Sequence, residues 1–157
     1  MTRLIPTLLA YLLVATASVA ATPAVADAKA PPAAPTGTPR PSTDTRAAEK
    51  AARAWLALVD GGKYAESWTE AAALFRQAVP QEQWSQQAAA VRTPLGKLVK
   101  RELRAAYPRT SLPGAPDGEY VVLQFDTSFE HKQAAVETVT PMREPDGSWR
   151  VSGYFVR

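Results

Sequence analysis

The chain has 157 residues, 46% of them hydrophobic and 21% charged, with a formal net charge of +3 and no cysteine. That length suits one domain with flanking segments. The missing cysteine excludes structural disulfides, thiolate metal sites and a lipid-anchored bacterial precursor, which carries a cysteine directly after its cleavage site.

Met1-Thr2-Arg3 supplies a short positive segment, and an apolar stretch follows from Leu4 through Leu8, Leu9, Leu12, Leu13 and Val14 to Val19. Small-residue exits come next at Ser18-Val19-Ala20, Ala24-Val25-Ala26 and Ala26-Asp27-Ala28. This is the order of a cleavable secretory signal. A membrane span needs about 20 continuous apolar residues; this stretch is shorter, and Pro6 interrupts it. Residues 1–26 are expected to be a signal removed after Ala26, leaving a periplasmic or secreted protein with no stable membrane span. Residues 27–44, with Ala30-Pro31-Pro32-Ala33-Ala34-Pro35 and Gly37-Thr38-Pro39-Arg40-Pro41, have no apolar periodicity. They are expected to form a disordered linker, with a proline-rich recognition segment as the functional alternative.

Residues 45–157 are expected to form a single domain. Ala48, Ala51, Ala52, Trp55, Leu56 and Val59 recur at helical spacing, Ser42, Thr43 or Asp44 can cap that helix, and Gly61-Gly62 ends it. A second helix is predicted from Lys63, with Tyr64, Trp68, Ala71, Ala72 and Phe75 on one face. Pro80, at a first helical position, opens a third with Trp84, Ala88 and Val91 inward, stopped by Pro94 and Gly96. Strands are predicted over 97–107, 119–129, 134–143 and 148–156. Val121, Leu123, Phe125 and Phe129 alternate inward on the second, as do Trp149, Val151 and Phe155 on the last, while Tyr120 and Tyr154 fall on the other face. The predicted fold is α+β, with about three helices on one face of a curved four-stranded antiparallel sheet.

The run Ala54-Trp55-Leu56-Ala57-Leu58-Val59-Asp60-Gly61-Gly62-Lys63-Tyr64-Ala65-Glu66-Ser67-Trp68 resembles the opening of a bacterial exported family known as domain of unknown function 4019. Arg92-Thr93-Pro94-Leu95-Gly96, the segment from Thr110 to Phe125, Glu137-Thr138-Val139 and the segment from Trp149 to Phe155 resemble its later blocks. The resemblance covers the whole domain. It implies an architecture similar to the cystatin-like and nuclear-transport-factor-2-like cones, where a curved sheet wraps helices around a pocket. It implies no activity.

His131 is the only histidine, so no ligand set for a metal can be built from imidazole and thiolate, and no metal or cofactor is expected. His131 reads as a solvated turn residue, with an acid–base or pH-responsive role as the alternative. Asp126, mid-strand, is the other acid–base candidate, although alternation turns it away from Val121, Leu123 and Phe125. Glu66 and Glu70 are neighbours one helical turn apart and read as solvated charges or as an acid–base pair. Ser67 reads as a packing residue rather than a nucleophile, since Gly-x-Ser-x-Gly is absent.

Arg92, Lys97, Lys100, Arg101, Arg104 and Arg109 form a basic stretch ahead of acidic strands. Cross-strand pairing accounts for both, with an anion-binding surface as the functional reading. No base-stacking aromatic pattern points to nucleic acid. The aromatic set builds a core or, where the sheet curves, lines a pocket, with Trp55, Tyr64, Trp68 and Trp149 as candidate ligand-binding residues. The expected function is a non-catalytic envelope module that binds a protein, a polymer or a small apolar ligand. The alternatives are a small enzyme or ligand-binding protein with an acid–base pocket, and a domain that assembles through its sheet face or edge.

Overall fold

A computed structural model describes residues 43–157. The signal and most of the linker expected from the sequence lie outside the described residues. Helix α1 spans Thr43–Asp60, α2 Tyr64–Glu70, α3 Ala73–Ala78 and α4 Gln81–Arg92, followed by a short 3-10 turn at Thr93–Leu95. Strands β1 Leu98–Arg109, β2 Tyr120–Phe129, β3 Lys132–Arg143 and β4 Trp149–Val156 form one antiparallel sheet in the order β1-β2-β3-β4. The fold is α+β, with helices preceding an open curved sheet. No helix among the described residues is long and apolar enough to cross a membrane.

Helix α1 buries Ala48, Ala52, Trp55, Leu56 and Val59, the stripe its spacing demands. It ends where the diglycine begins. Lys63 N–H donates to Leu58 O at 2.8 Å and Gly62 N–H to Val59 O at 3.1 Å, with Gly62 at φ +70°. This Schellman closure needs a left-handed residue, which glycine supplies without steric cost.

The second expected helix is two helices. Ala71 and Ala72 are extended, with ψ of 164° and 150°, and both are fully buried. The break aims backbone donors at the sheet side. Ala72 N–H bonds to Val151 O at 2.8 Å, and Ala73 N–H bonds to Glu144 Oε1 at 2.7 Å, which satisfies a first-turn donor of α3. Two alanines are small enough to let these chains touch. In α4, Pro80 precedes the helix as its N-cap instead of occupying the first turn. The inward stripe runs Trp84, Ala88, Arg92, while Val91, expected inside, is 47% exposed. An arginine with carboxylate partners holds the place an apolar residue was expected to take.

Val121, Leu123 and Phe125 point into the core at 2% exposure or less, as alternation predicts. They meet Trp55, Leu56, Val59, Phe75, Trp84, Val139 and Val151 in one cluster. Three aromatic positions differ from expectation. Thr140 pairs with Gly153 but Pro141 pairs with Val151, so Ser152 is an extra residue in β4. That bulge reverses the alternation beyond it. Tyr154 therefore turns inward, 5.5 Å from the Trp55 ring, and Phe155 turns out at 59% exposure. Tyr120, expected on the other face, is buried by its own preceding loop, its hydroxyl donating to Pro116 O at 2.7 Å.

At the entry to β1, Gly96 has φ +75°, and a Cβ there would stand 2.9 Å from Glu130 and His131. Replacing Gly96 with alanine is expected to cost about 2 kcal/mol or more, combining left-handed strain with displacement of the β2–β3 turn. Urea unfolding of the Gly96→Ala variant measures this; an unchanged midpoint would contradict the argument.

Candidate functional site

The sequence candidates are dispersed. Asp126 is exposed and lies 3.6 Å from Arg104 across β1 and β2. His131 is exposed in the β2–β3 turn. Glu66 and Glu70 are solvated and pair with Lys63 at 3.2 Å and Arg150 at 3.4 Å. Trp55 is buried, and its indole N–H donates to Ser67 O at 2.7 Å. Trp68, half-buried, donates to Val79 O at 2.7 Å. Trp55 and Trp149 line a shallow hollow of about 400 Å³, Trp68 lines a different one of about 620 Å³ beside Glu144 and Arg150, and Tyr64 lies partly buried on α2. Asp126 and His131 are not brought together with these aromatics in any described hollow.

Ser67 is fully buried and joins the indoles. Its hydroxyl donates to Tyr64 O at 2.8 Å and accepts from Trp84 Nε1 at 3.0 Å, while its carbonyl accepts from Trp55. Those bonds satisfy the polar edges of two core tryptophans. Trp55, Trp84, Phe75 and Tyr154 stack around them at centroid distances of 5.1 to 6.3 Å.

The chemically dense feature of the domain is a buried charge cluster beside these rings. Asp60 ends α1, Arg92 ends α4, Arg101 stands on β1, Glu137 on β3 and Tyr154 on β4. Arg101 donates to both Asp60 oxygens, at 2.7 and 3.0 Å, and through Nε to Glu137 Oε2 at 2.6 Å. Arg92 bridges the same carboxylates, from Nη2 to Asp60 Oδ1 and from Nη1 to Glu137 Oε1. Thr127 and Tyr154 complete Glu137, with hydroxyl bonds at 2.8 and 2.7 Å. The Arg92 guanidinium also lies 4.3 Å from the centre of the Phe129 ring.

Glu137 is 0% exposed, and the Arg92 and Arg101 side chains are 4% and 7% exposed. The formal charges of two arginines and two carboxylates cancel, and all four carboxylate oxygens accept hydrogen bonds. An isolated buried charge costs several kcal/mol, and balance is what permits ionised groups here. Burial pulls the Arg101 pKa down, but the bonds and charges of Asp60 and Glu137 outweigh it and raise it overall. Burial pushes the Tyr154 hydroxyl well above the usual phenol range, reinforced by Glu137 and opposed by Arg92. Tyr154 therefore stays a donor. Each Glu137 oxygen accepts two hydrogen bonds, which leaves this carboxylate no free lone pair for a substrate proton or a cation. Among the described residues, no group of three or more acidic or histidine side chains gathers to hold a metal.

The sequence puts Arg92 and Arg101 in a basic stretch that reads as cross-strand pairing or an anion-binding surface, and the structure buries both against Asp60 and Glu137. The pattern held a signal. Glu137 shares the inward register of Ala135 and Val139, Arg92 follows Trp84 and Ala88 at four-residue steps, and Asp60 follows Leu56 in the same way.

Removing Glu137 leaves two arginines facing one carboxylate. Glu137→Ala is expected to cost about 3–5 kcal/mol, a large fraction of the roughly 5–15 kcal/mol that stabilises a domain; urea unfolding measures it, and a loss under about 1 kcal/mol would contradict the assignment. Tyr154 sets a pH effect. Its folded pKa is raised, so its contribution is intact below its ordinary value of 10.0 and is lost as pH climbs towards the folded value. Above about pH 10 this group should steepen the loss of stability by up to about 1.4 kcal/mol per pH unit. Unfolding free energies of wild type and Tyr154→Phe across that range should converge as pH rises; parallel curves would refute it.

The family model described as Protein of unknown function (DUF4019) matches residues 51–154. That span is more than half of the chain and contains Asp60, Arg92, Arg101, Glu137 and Tyr154. No curated protein and no solved structure matches the chain. The chain belongs to the DUF4019 family, a family of proteins of unknown function.

Proposed function

We propose that this chain is an exported, non-catalytic binding module that meets its partner with its surface. The observation that carries this reading is the filled interior. The helices and sheet enclose rings and aliphatic side chains, and the carboxylate oxygens of the Asp60–Arg92–Arg101–Glu137 cluster are all bonded within the domain, with Arg92 Nε the one buried side-chain polar atom among the described residues that lacks a hydrogen-bond partner. An acid–base pocket of the cone-shaped enzymes needs a buried carboxylate with a free oxygen facing a cavity. Glu137 is buried but has both oxygens bonded, and Asp126 faces solvent. We read the wrap of the sheet around α1 as cystatin-like or nuclear-transport-factor-2-like, with core side chains where such cones hold a ligand. Export rests on the charge–apolar–small-residue order of residues 1–26. The partner, in this reading, is an envelope protein or polymer, and the open hollow beside Trp68, Glu144 and Arg150 is large enough to seat a side chain or sugar of it.

Expression of the full precursor in a bacterial host, followed by fractionation and mass measurement, should give a mature form beginning close to Asp27 outside the cytoplasm. A precursor retained uncleaved in the cytoplasm would overturn export. The mature protein should show no change in melting temperature with small apolar ligands and should be retained by immobilised envelope polymers or proteins. A small ligand that raises the melting temperature by several degrees, or a turnover abolished by Asp126→Asn or His131→Ala, would overturn the non-catalytic surface reading.

A further inference from the structure

The sheet has two edges, and they are built differently. β1 carries Lys100, Arg101, Glu102, Arg104 and Arg109, a proline at Pro108, and two register shifts against β2. Charges, proline and bulges are the devices that keep an edge strand from pairing. β4 carries one charge, Arg150 at its start, where it pairs with Glu70, and one bulge. From Val151 to Val156 it carries no charge and no proline, and Phe155 stands out into solvent at 59% exposure. The Val151 end of this edge is already taken, since its carbonyl accepts from Ala72.

The remaining edge has a defined hydrogen-bonding register. Arg157 and Val136 exchange both backbone bonds, at 3.0 and 3.2 Å. In an antiparallel ladder the backbone groups of successive residues point to opposite sides. Those of Tyr154 and Val156 therefore face away from β3, towards the open side. Alongside lies a hollow of about 180 Å³ between β4 and α4, lined by Trp84, Ala88, Val91, Tyr154, Phe155 and Val156. No side chain lining it is charged, and Val91 is 47% exposed at its rim.

We infer that β4 pairs with β4 of a second copy of this chain, joining two sheets across a two-fold axis. The register follows from the groups available. Tyr154 of each copy lies opposite Val156 of the other, and these two hydrogen-bonded pairs exchange four backbone bonds. Phe155 then meets Phe155 on the axis, in the non-hydrogen-bonded position where side chains approach closest. The charge pattern permits this register. Arg157, the charged residue nearest the pair, falls opposite Gly153, which has no side chain to oppose it. A two-fold contact is self-complementary, so one exposed phenylalanine and one uncharged edge suffice to build it. The pairing also brings each copy's α4 towards the joint and covers Val91. The inference stands apart from the proposed binding role and from export.

Sedimentation equilibrium of the mature chain over a wide concentration range should show a species of about twice the monomer mass. Phe155→Glu, at an exposed site that leaves the core untouched, should raise the dissociation constant by about tenfold or more. Val99→Glu, at the most exposed apolar position on β1, should leave it unchanged. Geometry is tested separately. Cα atoms of a non-hydrogen-bonded pair lie about 4.5 Å apart, within disulfide reach. Because the chain has no cysteine, Phe155→Cys should form a covalent dimer under copper-phenanthroline oxidation, and Val99→Cys should not. A monomer at every soluble concentration, or equal crosslinking from both cysteine variants, would overturn the pairing. So would a monomer that takes up a foreign apolar peptide along β4, since that result gives the edge to another strand.

Discussion

Charge neutrality inside a low-dielectric core is the constraint on which the domain is arranged. Asp60, Arg92, Arg101 and Glu137 are tolerated only together, because any one of them left alone would be an uncompensated buried ion. They come from α1, α4, β1 and β3, and the hydroxyls that finish Glu137 come from β2 and β4. Few apolar contacts are so demanding. A leucine can slide against its neighbours at small cost, whereas a guanidinium that bridges two carboxylates fixes distance and direction at once. The helix ends are placed accordingly. Arg92 sits favourably at the negative end of α4, while Asp60 sits at the unfavourable end of α1 and is held there by two arginines.

Such a cluster is weak evidence for stability, since apolar residues of equal volume often serve as well. Its stronger consequence here is register. A slip of β3 by one residue would turn Glu137 to the outer face and leave Arg92 and Arg101 facing one carboxylate. With no cysteine available to pin the strands, the charges penalise that slip in a way Val139 or Ala135 cannot. The tryptophans follow the same logic. Trp55 and Trp84 bring indole donors into the core, and Ser67, placed on the short helix α2, answers both.

What could be read from the chain alone divides along a physical line. α1 and the four strands were legible because their apolar period is repeated several times and their ends carry Gly, Pro or a turn. The break between α2 and α3 was not, because Ala71 and Ala72 are good helix formers. Their extended backbone is imposed by Val151 and Glu144, some 70 and more residues away. Val91 and Arg92 exchanged expected places because a rule that puts charge outside has no term for a partner on another element. All members of the buried cluster were visible as residues, and its ionic nature was concealed by reading each charge against its chain neighbours. The informative pattern was the coincidence of balanced charges, each standing in an apolar-periodic position of a different element.

One backbone feature links the interior to the edge. Ser152 is the extra residue of β4, and it inverts which side chains face the core from Gly153 onward. Without it, Phe155 would enter the cluster of rings and Tyr154 would point to solvent. The bulge delivers the Tyr154 hydroxyl to Glu137, 2.7 Å away, and in the same stroke expels Phe155 to 59% exposure at an uncharged strand edge. A phenylalanine inside would supply the apolar area but no donor, and Glu137 Oε1 would rely on Arg92 alone. The exposed phenylalanine is therefore the geometric complement of a satisfied buried carboxylate: β4 is an edge because it is the last strand of an open sheet, and the bulge decides that this edge presents Phe155 rather than Tyr154.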